Sequence, residues 1–302
     1  MKIAVTGKTG QVVTALIERG ALAGHQIVAL GRPELDLADA ATILPQLEAA
    51  APDVVISAAA YTAVDRAENE AALAHAINGA GAGAVARAAK ALDIPLVHIS
   101  TDYVFDGTLD RPYREEDATG PTGVYGASKL AGEQVVLSEY AGNSAVLRTA
   151  WVYSPFGANF VKTMLRLAGD RDQISVVTDQ FGNPTSALDI ADGILRVAGN
   201  LVARSDPALR GIFHMTAGGV ASWADFAEAI FAASRRHGGP SADVIRIGTV
   251  DYPTPAVRPA NSRLDCGLIA RTHGVVLPDW LNALEQVMAH VGMAHGLKMG
   301  NG

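Results

Sequence analysis

Short apolar runs alternate with amphipathic stretches through the first half of the chain, and this alternation restricts the fold more than any other feature. Residues 2–6, 26–30, 53–58, 95–100 and 144–149 read as short buried strands. Between them, residues 12–19, 38–50, 71–92 and 126–140 carry apolar side chains at helical spacing. Strand and helix in repetition call for crossover connections, which are right-handed and build a parallel sheet covered on both faces. The expected class is α/β, with a doubly wound parallel sheet of the Rossmann type. In such sheets ligands bind beyond the carboxyl ends of the strands, so those ends are where chemistry should be sought.

The first strand runs into Gly7-Lys8-Thr9-Gly10. Glycines there allow a tight turn and let the backbone approach a pyrophosphate, which sits against the positive N-terminus of the next helix. Val13 stands where a third glycine often permits close helix-to-strand packing. A glycine turn alone is also what an ordinary strand-to-helix loop looks like; its place after the first strand favours the phosphate reading. The second strand ends in Gly31-Arg32-Pro33, where NAD-binding chains carry an acidic residue for the ribose 2′-hydroxyl. Arg32 suits a 2′-phosphate, so NADPH is favoured and NADH is the alternative. Asp36 and Leu37 are candidates for contact with the adenine.

Tyr125 is followed four residues later by Lys129, and it alone of the seven tyrosines has a lysine at that spacing. On a helix the two share a face. A free phenol titrates near pH 10, and a neighbouring cation favours its ionised form. Lys129 is expected to supply that charge, and the Thr101 hydroxyl after the fourth strand to hydrogen-bond the phenol or a substrate oxygen. Chance placement on a solvated helix face would give the same spacing; the accompanying motifs argue against it. The chemistry indicated is proton exchange beside a nicotinamide.

Composition removes other classes. A formal charge of −7 and a pI near 5.6 provide no general attraction to nucleic acid or anionic membranes. The single cysteine, Cys266, has no partner for an internal disulfide and no zinc-site neighbours, which fits a reducing cytoplasm. No apolar run approaches the ~20 residues of a membrane span.

Seven segments then carry a resemblance: Gly7-Lys-Thr-Gly-Gln-Val12, Ala58-Ala-Ala-Tyr-Thr-Ala-Val-Asp65, Ser100-Thr-Asp-Tyr-Val-Phe-Asp-Gly107, Val124-Tyr-Gly-Ala-Ser-Lys-Leu-Ala-Gly-Glu133, Arg148-Thr-Ala-Trp-Val-Tyr153, Asp179-Gln-Phe-Gly-Asn-Pro-Thr185 and Arg258-Pro-Ala-Asn-Ser-Arg-Leu264. In this order they resemble the extended short-chain dehydrogenase/reductases and, within them, the dTDP-4-dehydrorhamnose reductase family. The resemblance implies NADPH-dependent reduction of the C4 keto group of a dTDP-linked 6-deoxy sugar, dTDP-4-dehydro-L-rhamnose. Tyr125 would be the proton donor, Lys129 would lower its pKa and hold the nicotinamide ribose, and Thr101 would assist the phenol and bind substrate. Asp102, Tyr103 and Trp151 would line the sugar pocket with Val64 and Asp65 nearby. Ala58, Ala59, Ala60, Thr62 and Ile99 would cover the cofactor, with Gln11 and Val12 on its phosphates. Trp151 read by itself is equally a core or interface aromatic.

The resemblance also implies domains: residues 1–153 for the dinucleotide, with parts of 180–220 returning to the main sheet, and 154–302 as a smaller, mainly substrate-binding α/β part. In that second half, residues 159–167, 188–201, 223–236 and 280–290 read as helices and 174–178 and 211–215 as short apolar runs. Arg258 and Arg263 are candidates for a substrate diphosphate, since guanidinium groups suit one; a solvated loop is the plainer reading of either. Some family members hold magnesium at a dimer contact through glutamates, where this chain has Ala15 and Leu188. Hard cations need oxygen ligands, so no metal site is expected and a homodimer is left open. Two alternatives remain: a ketoreductase or epimerase for another nucleotide-linked 6-deoxy sugar, and a non-catalytic NADP-binding protein resembling the regulatory subunit of methionine adenosyltransferase.

Overall fold

A computed structural model describes residues 1–294; residues 295–302, the end of the expected substrate-binding part, lie outside the described residues. The first half contains β1 (Lys2–Thr6), α1 (Gln11–Leu22), β2 (Gln26–Leu30), α2 (Ile43–Ala50), β3 (Val54–Ser57), α3 (Val64–Ala67), α4 (Ala71–His75), α5 (Ala82–Ala91), β4 (Leu96–Thr101), α6 (Val124–Tyr140) and β5 (Ser144–Thr149). The second contains β6 (Val152–Tyr153), α7 (Phe160–Ala168), β7 (Gln173–Val177), β8 (Phe181–Gly182), β9 (Thr185–Ser186), α8 (Ala187–Ala203), β10 (Gly211–His214), β11 (Ala221–Ser222), α9 (Trp223–Arg236), β12 (Asp243–Ile247), α10 (Gly267–His273) and α11 (Trp280–Ala294).

Six strands form one parallel sheet in the order β2-β1-β3-β4-β5-β10. The strand order reverses between β1 and β3, which opens a crevice above their carboxyl ends. Both faces are covered. Ile3, Val5, Val54, Ile56, Val97 and Leu147 pack against α1 and α8, while Ala4, Val55, Leu96 and Val146 pack against α2, α5 and α6. Alternate strand residues point to opposite faces, so a strand buried on both sides reads as the continuous apolar run seen in the sequence. A second core joins α7, α9, α11 and the parallel pair β7-β12 through Val161, Ile174, Phe226, Ile230 and Leu284.

Several expectations are corrected here. The stretch 71–92 is not one regular helix: residues Ala76–Gly81 between α4 and α5 form a π-helical segment. Gly81 lies so close to Leu37 that a Cβ would stand 2.5 Å from its carbonyl oxygen. The extra residue turns Asn78 inward, where it accepts from the Tyr61 N–H and donates to the Tyr61 carbonyl and to Ser128 Oγ. The expected helix 38–50 starts as a short 3₁₀ turn capped by Asp39, and α2 follows with Pro45 in its first turn. The short helices α3 and α10 and the strand β12 had no clear periodicity in the sequence.

Helix α6 approaches its neighbours more closely than a side chain would allow. A Cβ on Gly126 would lie 2.1 Å from the Tyr103 carbonyl oxygen, and one on Gly132 2.1 Å from that of Asn78. Substituting Gly132→Ala must push α6 off the π-helical segment. We expect a loss of ~1–3 kcal/mol in stability, measured by denaturant unfolding; an unchanged midpoint would show that the contact is soft.

Candidate active site

A cleft of about 900 Å³ runs along the carboxyl ends of the central strands, lined from Gly7 to Val13, by Ala58 to Ala60 and by Ile99 to Tyr103. One end is the glycine turn. Gly7 has φ +103°, a left-handed conformation natural to glycine, and a Cβ there would meet Val13 at 3.2 Å and Ala59 at 3.4 Å. Val13 thus takes up the space that a third glycine would leave. Thr9, Gly10, Gln11 and Val12 line the same end at the start of α1, whose free N–H groups suit a phosphate. The Gln11 side chain is engaged elsewhere: its Oε1 accepts from Ser154 Oγ (2.7 Å) and Asn159 Nδ2 (3.0 Å), tying the turn to the second half of the chain.

Arg32, Asp36 and Leu37 line the cleft beyond the end of β2, as do Ala58, Ala59, Ala60 and Thr62 beyond β3. Lys8, not singled out from the sequence, joins Arg32 there. Its Nζ donates to the Arg32 carbonyl at 3.2 Å and to Glu34 Oε2 at 2.5 Å. Its position inside the glycine turn was the available signal.

At the other end stand the polar groups. Helix α6 begins at Val124, two residues earlier than the apolar pattern indicated, so Tyr125 and Lys129 belong to one helix. Both line the cleft with Thr101. The Thr101 hydroxyl donates to Asp102 Oδ1 at 2.9 Å and accepts from the Tyr103 N–H at 3.3 Å, and it favours the ionised form of the Tyr125 phenol. The ring of Tyr103 meets that of Tyr125 edge to face at 5.6 Å.

Burial sets the protonation of this cluster. It pushes Tyr125 up to about 12, with the Thr101 hydrogen bond opposing and the Asp102 charge adding. It pushes Lys129 down to about 8, against the pull of Glu133. The net shift of the phenol is therefore upward, where the Tyr125–Lys129 spacing alone pointed downward. The Lys129 ammonium is engaged by the Ile99 carbonyl at 2.6 Å, and desolvation of the ring outweighs other influences. Asp102, only 2 % exposed, is raised to about 6 by burial, although Thr101 donates to its Oδ1; its buried Oδ2 has no hydrogen-bond partner. The hydroxyl of Thr149, also buried in the cleft wall, has no hydrogen-bond partner in the protein.

The sugar end expected around Trp151 is built from more than that residue. Trp151 has φ +47°, strained for a side chain of its size, and its indole stacks on Trp223 with centroids 3.6 Å apart and planes 4° off parallel. Phe160 packs on Trp223 at 4.7 Å, and all three line the cleft. Gly182 backs the stack: a Cβ there would stand 2.4 Å from Trp151 Cε2. Trp223 and Phe160 read in the sequence as helix-face aromatics, and only the chain's return from β11 and α7 brings them here.

Val64 lines the cleft, but Asp65, Arg258 and Arg263 are not among its lining residues. Asp65 Oδ2 accepts from Arg258 Nη2 at 2.9 Å, so the two charges satisfy each other. Arg263 donates to Asn261 Oδ1 and to the Asp110 carbonyl. Among the described residues no cluster of His, Cys, Asp or Glu could hold a metal, and no helix is long and apolar enough to cross a membrane.

A doubly wound parallel sheet with a glycine turn after β1 and a Thr-Tyr-Lys cluster after β4 and on α6 defines an extended short-chain dehydrogenase/reductase. Within that class the chain belongs to the RmlD substrate binding domain family, whose model matches residues 1–293. It is 50 % identical over 288 residues to a dTDP-4-dehydrorhamnose reductase of Sinorhizobium fredii, covering 95 % of this chain and 97 % of that one. It is 40 % identical to the enzyme of that name from Escherichia coli K12, with the same coverage. The solved dTDP-4-dehydrorhamnose reductase of Bacillus anthracis, in complex with NADP, superposes with a TM-score of 0.89 at 34 % identity, over 96 % of this chain and 99 % of that one.

Asp102 yields a prediction. Its carboxyl titrates near 6 when folded against 3.8 ordinarily, so folding takes up a proton between about pH 4 and 6 and stability falls as pH rises through that window. Replacing Asp102→Asn removes the buried charge. The variant should gain ~1–3 kcal/mol at pH 7 and nothing below pH 4, read from denaturant midpoints at the two pH values; a less stable variant at pH 7 contradicts the assignment.

Proposed function

We propose that this protein reduces the C4 keto group of dTDP-4-dehydro-L-rhamnose to dTDP-L-rhamnose with NADPH, and that Tyr125 donates the proton. The observation that carries the reading is the meeting of Thr101, Tyr125 and Lys129 at one end of a cleft whose other end is the Gly7–Gly10 turn. Relatives named for this reaction match nearly the whole chain. The cleft fits a dinucleotide in its left-handed Gly7, its small residues at 58–60 and the cations Lys8 and Arg32, which suit a 2′-phosphate. On this reading residues 1–153, joined by α8 and β10, hold the cofactor, and the remainder holds the dTDP-sugar. With its single Cys266 the protein suits a reducing cytoplasm.

When bound, the nicotinamide supplies the hydride. Everything else falls to the chain. Tyr125 carries its proton at neutral pH because burial holds the phenol near 12, so it is an acid ready to protonate an alkoxide developing at C4. Thr101, whose hydroxyl favours the ionised phenol, turns from Asp102 to stabilise the phenolate left behind. Lys129, four residues along the same helix and fixed by the Ile99 carbonyl, lines the same cleft, where its ammonium serves the phenolate and the cofactor. The stacked indoles of Trp151 and Trp223 offer a flat apolar wall for the sugar or base and exclude water.

Incubation with NADPH and dTDP-4-dehydro-L-rhamnose, followed at the nicotinamide absorbance, tests the reading. The wild type should oxidise NADPH, and Tyr125→Phe should be slower by roughly 10²- to 10⁴-fold with its fold intact. An equally active Phe variant removes Tyr125 from the role. Turnover only with a different nucleotide sugar would reassign the substrate, and none with any sugar would favour a binding protein.

A further inference from the structure

Beneath α6 lies a row of charges that the proposed reaction does not itself employ. Glu133 is one helical turn beyond Lys129 on the buried face of α6, and the two share that face with Gly126, Gly132 and Val136. Its side chain is 1 % exposed and faces Arg148 of β5, 2 % exposed. The pairing is two-pronged: Arg148 Nη2 donates to Oε2 at 2.7 Å and Nε to Oε1 at 2.9 Å. Ser100 Oγ of β4 also donates to Oε1. The carboxylate is thus held by a strand on each side, one of them ending at Thr101.

A buried ion pair of this kind costs desolvation and is weak grounds for stability alone. What it fixes is a negative charge at one place beside Lys129. Two charges would otherwise be buried here, and both are cationic. Lys129 is held at the Ile99 carbonyl and Glu133 at the Ser100 hydroxyl, adjacent residues of β4, so the carboxylate lies near the ammonium and favours its charged form. The other groups facing this pocket do not replace it. His98 of β4, buried and bonded to Ser57, is kept neutral by burial and by Lys129 itself. His214 of β10 is also neutral, by burial and the Arg148 charge. Tyr125 is protonated, and Asp102 is engaged by Thr101. The pair Arg87–Glu139 joins α5 to the far end of α6 at the exposed surface.

We propose that Glu133 is a positioning residue for the reaction: its carboxylate, anchored by Ser100 and Arg148, keeps Lys129 in the charged form that stabilises the phenolate of Tyr125. The proposal deepens the ketoreductase reading and rests on it for its functional consequence. Its electrostatic part stands without turnover.

Titrating the Lys129 ammonium by NMR in the ¹⁵N-lysine-labelled protein tests it directly. Glu133→Gln should lower the midpoint by about one pH unit or more, and the alkaline limb of kcat should move down with it. A folded variant with the wild-type midpoint overturns the proposal. Because the single variant leaves Arg148 unpaired and less stable, Glu133→Gln with Arg148→Met is the second variant, in which both charges are gone. If Glu133 serves only to neutralise Arg148, this variant regains both stability and the wild-type Lys129 midpoint, which again overturns the proposal. If stability recovers and the midpoint stays low, Glu133 acts on Lys129. Should the wild type turn over no sugar nucleotide, the ketoreductase reading fails, while the NMR midpoints still decide the role of Glu133.

Discussion

The seating of α6 on its neighbours is the constraint from which the site follows. Gly126 and Gly132 allow the helix to touch the backbone at Tyr103 and Asn78, where neither position tolerates a side chain. That contact fixes both the height and the rotation of the helix. Lys129 then reaches the Ile99 carbonyl of β4, Glu133 reaches Ser100 and Arg148, and Tyr125 lines the cleft with Thr101. The π-helical segment at 76–81 belongs to the same seating, because it presents Asn78 to Ser128 across the joint. A regular helix there would carry that amide around the axis and away from α6.

Burial governs the electrostatics that result. Tyr125 is pushed up, Lys129 down and Asp102 up, each toward its neutral form. For a group meant to give a proton, this is the useful direction: a phenol titrating near 12 retains its proton at neutral pH until an alkoxide needs it. The cation matters at the next instant, when the phenolate forms. The net position of Tyr125 is set by burial, and a cation that stabilises the phenolate acts by offsetting part of that burial.

Much of this was legible in the sequence, for identifiable reasons. Parallel strands buried on both faces leave continuous apolar runs, so all five strands of the first half were found within a residue or so of their ends. The glycine turn and the Tyr125–Lys129 spacing are local, and local signals survive in a sequence. What did not survive was anything set by the return of distant chain. Trp223 meets Trp151 only because α9 folds back over the cleft, and the Trp151 indole fits there only because Gly182, with no side chain, lies behind it. Gln11, placed on the phosphates by position, has its side chain drawn off by Ser154 and Asn159. Arg258 was a candidate for a substrate diphosphate, and its pairing with Asp65, 193 residues away, could not be seen in the sequence. The direction of the Tyr125 shift was missed for the same reason: charge spacing is written in the sequence, and desolvation is not.

The central claim is geometric, that Tyr125 faces the reacting carbon within the cleft. A crystal structure of the protein with NADP⁺ and dTDP-L-rhamnose tests it most directly. The Tyr125 hydroxyl should lie about 2.6–3.2 Å from the sugar O4, with Lys129 on the nicotinamide ribose and the sugar against Trp151. A sugar seated with O4 away from Tyr125, or a dinucleotide bound outside the Gly7–Gly10 turn, would contradict the account.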